Sequence, residues 1–161
     1  MINFVDVETV RNDEVLWVTV QSTWSDLISF VFGKGEAPID FNDINNKDRY
    51  AAFAIEGAMI PDLHRLAKEG VRPEWLGVPA GPWQAVPGAE KEFGWMDIVD
   101  NGNEFAIVIG RYPESKTKGE GVAFDYPLPK EDFLSLTNEM MELHEYVTQH
   151  DKDFSPKTHN S

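Results

Sequence analysis

Apolar and polar positions alternate twice near the start of the chain, in INFVDVET and EVLWVTVQ, on either side of the polar stretch Arg11-Asn12-Asp13. Runs of period two that are rich in valine and aromatics turn one face to a core and the other to water, so the pattern predicts a β-hairpin. Ser22-Thr23-Trp24-Ser25-Asp26 then offers a helix cap with an acid in the first turn, and LISFVFG stops at Gly33. Together they predict a short, mostly buried helix. GKGEAPIDFNDINNKD reads as a loop or edge strand, and Tyr50 to Ile55 as a strand or the lead-in to a helix.

Pro61 to Glu69, closed by Gly70, has the first-turn proline and terminal glycine of a helix. Met59, Ile60, Leu63, Leu66 and Ala67 fall on one side of it and His64, Arg65 and Lys68 on the other, which points His64 at solvent. The following VRPEWLGVPAGPWQAVPG, dense in proline and glycine, is expected to be a long loop with Trp75 and Trp83 as apolar anchors, one buried and one partly exposed. FGWMDIV and EFAIVIGRY flank Asn101-Gly102 and predict a second hairpin, with GVAFDYPL as a further strand.

From near Pro129 to about His150 the period becomes helical. Leu143, Leu136, Val147, Met140, Phe133, Met141 and Leu134 share one half of the wheel, and Glu131, Asp132, Glu139, Glu142 and Glu145 the other. The order of elements predicts an α+β fold: a mainly antiparallel sheet with about three helices and a long amphipathic C-terminal helix packed on one face. Residues 1–150 read as a single domain and 151–161 as a flexible tail, with no internal repeat evident.

Composition narrows the class. A chain of 161 residues with 42% apolar content can fill one core, and the absence of cysteine removes disulfides, thiolate metal sites and cysteine nucleophiles. The acidic start lacks the basic and apolar regions of a signal peptide, and no run approaches the roughly 18 apolar residues of a membrane span. A cytoplasmic protein without a membrane partner is expected. The net charge of −14 repels phosphate backbones and attracts basic proteins, which predicts a basic protein partner and no direct contact with nucleic acid. A homo-oligomer stays open.

Candidate chemistry is sparse. His144-Glu145 begins like a zinc-protease helix, but Thr148 stands where the second histidine is needed, and His150 falls on a different face. His144 lies in the apolar arc, where a ring bonded to a backbone carbonyl is the expected role. No G-x-S-x-G elbow occurs, and GKGEAP follows the predicted helix without the spacing of a phosphate loop. Asp40, Asp43, Asn45 and Asp48 crowd one segment, yet counting from Asp43 the glycine and glutamate positions of a calcium loop hold Asp48 and Ile55. An asparagine-rich turn accounts for them better.

Glu139, Glu142 and Glu145 recur at a spacing of three without a nearby cation, each pair costing an isolated helix about 0.2–0.5 kcal/mol. The cost is small for a solvated face, and a basic partner would remove it. These features predict a protein-binding or inhibitory protein, of the immunity or nucleic-acid-mimic type, that neutralises a basic toxin or nuclease. Its contact residues would be Asp40, Asp43, Asp48, Trp75, Trp83, Glu139, Glu142 and Glu145, with no catalytic residue, metal or cofactor. A structural subunit of a phage or bacterial complex, and a small hydrolase using carboxylates with His144 or His64, are the alternatives.

Overall fold

The computed structural model describes residues 2–154 apart from 12, 25–26, 36–39, 41–42, 47 and 85–86, and in it the chain lays down the same unit twice. Each unit is a four-stranded antiparallel meander followed by a helix. The first contains β1 (Ile2–Arg11), β2 (Glu14–Trp24), β3 (Leu27–Lys34), β4 (Tyr50–Glu56) and α1 (Ile60–Glu69). The second contains β5 (Ala80–Trp83), β6 (Glu92–Asp100), β7 (Glu104–Pro113), β8 (Val122–Pro129) and α2 (Lys130–Phe154). The class is α+β, as the sequence implies. The repetition is one of topology alone, because only the period of the pattern has to recur and not the residues.

Both hairpins read from the sequence form. Arg11 pairs with Glu14, and Asp13 turns the chain at φ 65°, a conformation that aspartate tolerates. Asp100 pairs with Phe105 around a wider loop, in which Gly102 has φ 91° and donates its N–H to Asp100 Oδ1 at 2.9 Å.

The helix expected over 22–33 is a correction: among the described residues there are two α-helices, residues 22–24 complete β2 and residues 27–33 belong to β3. Ile28, Phe30 and Phe32 alternate into the core, and β3 is paired along its length with β2 on one side and β4 on the other. A capping signal acts on one helix end, whereas two hydrogen-bonded ladders and three buried side chains act on the whole strand.

α1 begins with Pro61 in its first turn and ends on Gly70 at φ 72°, whose N–H returns to Leu66 O. α2 starts where Lys130 N donates to Asn103 O and Lys130 Nζ meets Asp100 at 2.8 Å, and it runs past the expected His150 to Phe154. Its buried stripe is Phe133, Leu136, Thr137 and Met140, with the rings of Phe133 and Phe105 5.0 Å apart. Both sheets and both helices contribute to one apolar core. His64 is half-buried rather than turned to solvent, because α2 covers that flank of α1 and Nε2 reaches Asn138 Oδ1 at 2.8 Å. Among the described residues no helix is long and apolar enough to cross a membrane.

Candidate functional site

The two sheets leave between them an apolar cleft of about 360 Å³. Val31 and Ala52 border it from the first sheet, and Trp83, Phe93 and Gly94 from the second. Trp83 pairs with Glu92 across the β5–β6 ladder, and its ring lies over Gly94, where a Cβ would stand only 3.0 Å from the indole. A glycine in mid-strand costs stability by itself, so the ring resting there supplies packing that the missing side chain does not. Trp83 nevertheless remains 42% exposed, a large apolar face turned to water at the mouth of the cleft. Phe93 stacks on Tyr112 of β7, with ring centroids 5.4 Å apart, and is thereby fixed beside it.

Charge enters this cleft as a neutral pair. The hairpin register places Gly94 opposite Arg111 and Glu92 opposite Pro113, so the two charged side chains meet on one face. Arg111 Nη1 is hydrogen-bonded to Glu92 Oε1, Nε donates to Tyr50 O at 3.0 Å, and the guanidinium carbon lies 4.9 Å from the centroid of the Tyr50 ring. Arg111 is 5% and Glu92 8% exposed. Burial pushes the Tyr50 phenol above its ordinary pKa, with the Arg111 cation opposing and the Glu92 anion reinforcing the shift. Among the described residues Arg111 Nη2 is buried without a hydrogen-bond partner, and none bonds Glu92 Oε2. A buried guanidinium N–H left unsatisfied costs free energy.

The residues singled out from the sequence are dispersed. Asp40, Asp43 and Asp48 precede β4 in a turn in which Asp43 Oδ1 accepts the Asn45 N–H at 2.9 Å and Asp43 N donates to Asp40 O. Asp48 borders a second, polar cleft of about 220 Å³ with Arg111, Lys116 and Glu120. Trp75 is half-buried rather than buried, so the expected buried member of the tryptophan pair is not found: it packs against the core with Nε1 bonded to Asp62 Oδ2 at 2.9 Å. Glu139, Glu142 and Glu145 are exposed on α2, with Glu139 beside a groove against β1 and β8. His144 is half-buried, as its place on the wheel implies, and neither it nor His64 borders these clefts.

Sequence reasoning therefore found Trp83 and missed Arg111, Glu92, Tyr50, Phe93 and Gly94. The signal was present in the Asn101-Gly102 turn. Folding the two flanking runs back on that turn already sets the residues near 92–94 against those near 111–113.

No family model and no characterised protein matches the sequence. The fold is similar to those of several solved structures, two of which follow. WHY1 from Arabidopsis thaliana superposes with a TM-score of 0.50 at 8% identity, over 100% of this chain and 97% of that one. The plant transcriptional regulator PBF-2 gives 0.49 at 10% identity, over 98% and 90%. The fold shared with WHY1 does not support the reading as an acidic inhibitor or immunity protein with a basic protein partner and no direct nucleic acid, and that reading is corrected. The physical error lay in treating net charge as a property of every surface. A charge of −14 acts on phosphates, whereas among the described residues the cleft walls carry one cation and one anion, bonded to each other.

Proposed function

We propose that this chain is a binding protein that takes unstacked bases of single-stranded nucleic acid into the cleft between its sheets. The observation that carries the reading is the exposed Trp83 ring held at the mouth of an apolar cleft between the two sheets. Single strands are recognised by stacking bases on aromatic side chains and arginine planes, at about 1–3 kcal/mol per base. Duplex bases are stacked on one another and do not fit this mode.

The acidic surface gives the reading an unusual consequence. Proteins that hold phosphates with lysine and arginine lose affinity steeply as salt rises, through release of counterions. Here the protein and the backbone repel each other, so salt screens a penalty rather than an attraction. Quenching of tryptophan fluorescence by a twelve-residue single strand, dT12, measures this. Binding is expected to hold or strengthen between about 50 and 200 mM salt, to disappear in Trp83→Ala, and to be absent for duplex. Affinity that falls steeply over that range, or survives in Trp83→Ala, overturns the reading.

A further inference from the structure

We infer that the single strand continues from the cleft onto the outer face of the first sheet, where Trp17 stacks a second base. The inference rests on the base-binding reading above and extends its path. The register of β2, β3 and β4 sets Trp17, Gly33 and Tyr50 side by side in one row and Thr19, Val31 and Ala52 in the next. Val18, Phe32 and Ala51, which alternate with them, point the other way and are buried in the core. Val31, Tyr50 and Ala52 also border the cleft, so its floor is continuous with this outer face.

Trp17 is seated as Trp83 is. A Cβ at Gly33 would collide with the Trp17 ring, just as one at Gly94 would press on Trp83, so each indole lies across a strand glycine. Trp17 packs against Tyr50 and stays half-buried, so part of it meets solvent. Gly33 is one strand across and two residues along from Ala52, whose carbonyl lies close to Gly94. At ordinary strand spacing and rise that is a step of about 8 Å, which suits a base following the one on Trp83.

Charge favours the same path. The chain carries a net charge of −14, yet both rows are uncharged, and so is the row beyond them, Gln21, Ser29 and Ala54. The acids Asp6 and Glu8 stand on the edge strand β1, opposite Thr19 and Trp17, and bound the lane there. A polyanion crossing an acidic protein is repelled least where no carboxylate lies beneath it.

Photocrosslinking of the native chain tests the path. A twelve-residue single strand of 5-iodouracil is irradiated with the protein, and mass spectrometry locates the adducts. Adducts on both Trp83 and Trp17 are expected. Quenching by dT12 without a Trp17 adduct refutes the extended path and leaves the cleft reading intact. Adducts on Trp17 without Trp83 refute the cleft as the anchor and, with it, the path drawn from it. Neither quenching nor adducts refutes base binding itself. A charge set in the path gives an independent readout: Thr19→Glu is expected to weaken dT12 binding at least about threefold at fixed salt. Val99→Glu, the same carboxylate at a 43% exposed position at the far end of β6, is expected to leave it within about twofold. Equal effects of the two variants refute the path.

Discussion

Removing the carboxylate of Glu92 tests the buried pair on its own terms. In Glu92→Leu the Arg111 guanidinium keeps its bond to Tyr50 O and its place over the Tyr50 ring, but loses the carboxylate bonded to it in an environment where it is 5% exposed. Breaking a buried pair from one side costs about 3–5 kcal/mol, because the surviving charge is left uncompensated. That is a large share of the roughly 5–15 kcal/mol that holds a domain together. At about 2–4 °C per kcal/mol for a chain of this size, the expected fall in Tm is about 6–20 °C. Replacing both partners, as Glu92→Leu with Arg111→Met, removes the desolvation cost along with the attraction and is expected to recover most of the loss. Urea unfolding followed by far-UV circular dichroism gives the midpoint and slope for the two single variants and the double. A coupling free energy of at least about 2 kcal/mol between the sites is expected. If Glu92→Leu is as stable as the native chain, or the double variant loses the sum of the two singles, the pair is not the buried, mutually dependent unit described here.

Other perturbations separate the cleft from the core. Gly94→Val puts side-chain atoms against the Trp83 ring and is expected to displace it, lowering the quenching amplitude with dT12 while leaving the far-UV spectrum unchanged. Leu63→Ala truncates a side chain on the buried face of α1 that is 1% exposed and is expected to cost about 2–5 kcal/mol in urea unfolding, with no change in dT12 binding by the folded chain. Asp100, whose carboxyl is held below its ordinary pKa of 3.8 by the hydrogen bond from Lys130 and then by the Gly102 N–H, contributes stability that is present above that value. This contribution is lost as pH falls from near 3.8 through the depressed folded value, so Asp100→Asn is expected to show a shallower decline of Tm in acid than the native chain.

The fold was largely legible because its elements obey local rules. The turns at Asp13 and Gly102, the proline and glycine ends of α1 and the apolar stripe of α2 are all statements about neighbours within a few residues. Residues 22–33 failed because two readings compete there: Ser25-Asp26 looks like a helix cap, while Ile28, Phe30 and Phe32 alternate with Ser29 and Val31. Pairing with β4, which lies beyond a long connection, settles the competition, and no local pattern reports it. The cleft was less legible for the same reason. Trp83 stood out by its type, but Arg111 and Glu92 look like ordinary strand-end charges until the register of β6 and β7 buries them together. Net charge misled because it sums over 28 acids and 14 bases without saying where they face.

Chemical-shift mapping with dT12 bears most directly on the central claim, that bases enter between the two sheets. With the chain labelled with nitrogen-15, the account predicts that the shifted resonances include the Trp83 indole N–H, the Arg111 side chain and the backbone amides of Phe93, Gly94 and Ala52. Shifts concentrated instead on Glu139, Glu142 and Glu145 of α2 and the turn around Asp43, with the Trp83 indole unmoved at saturation, would contradict it.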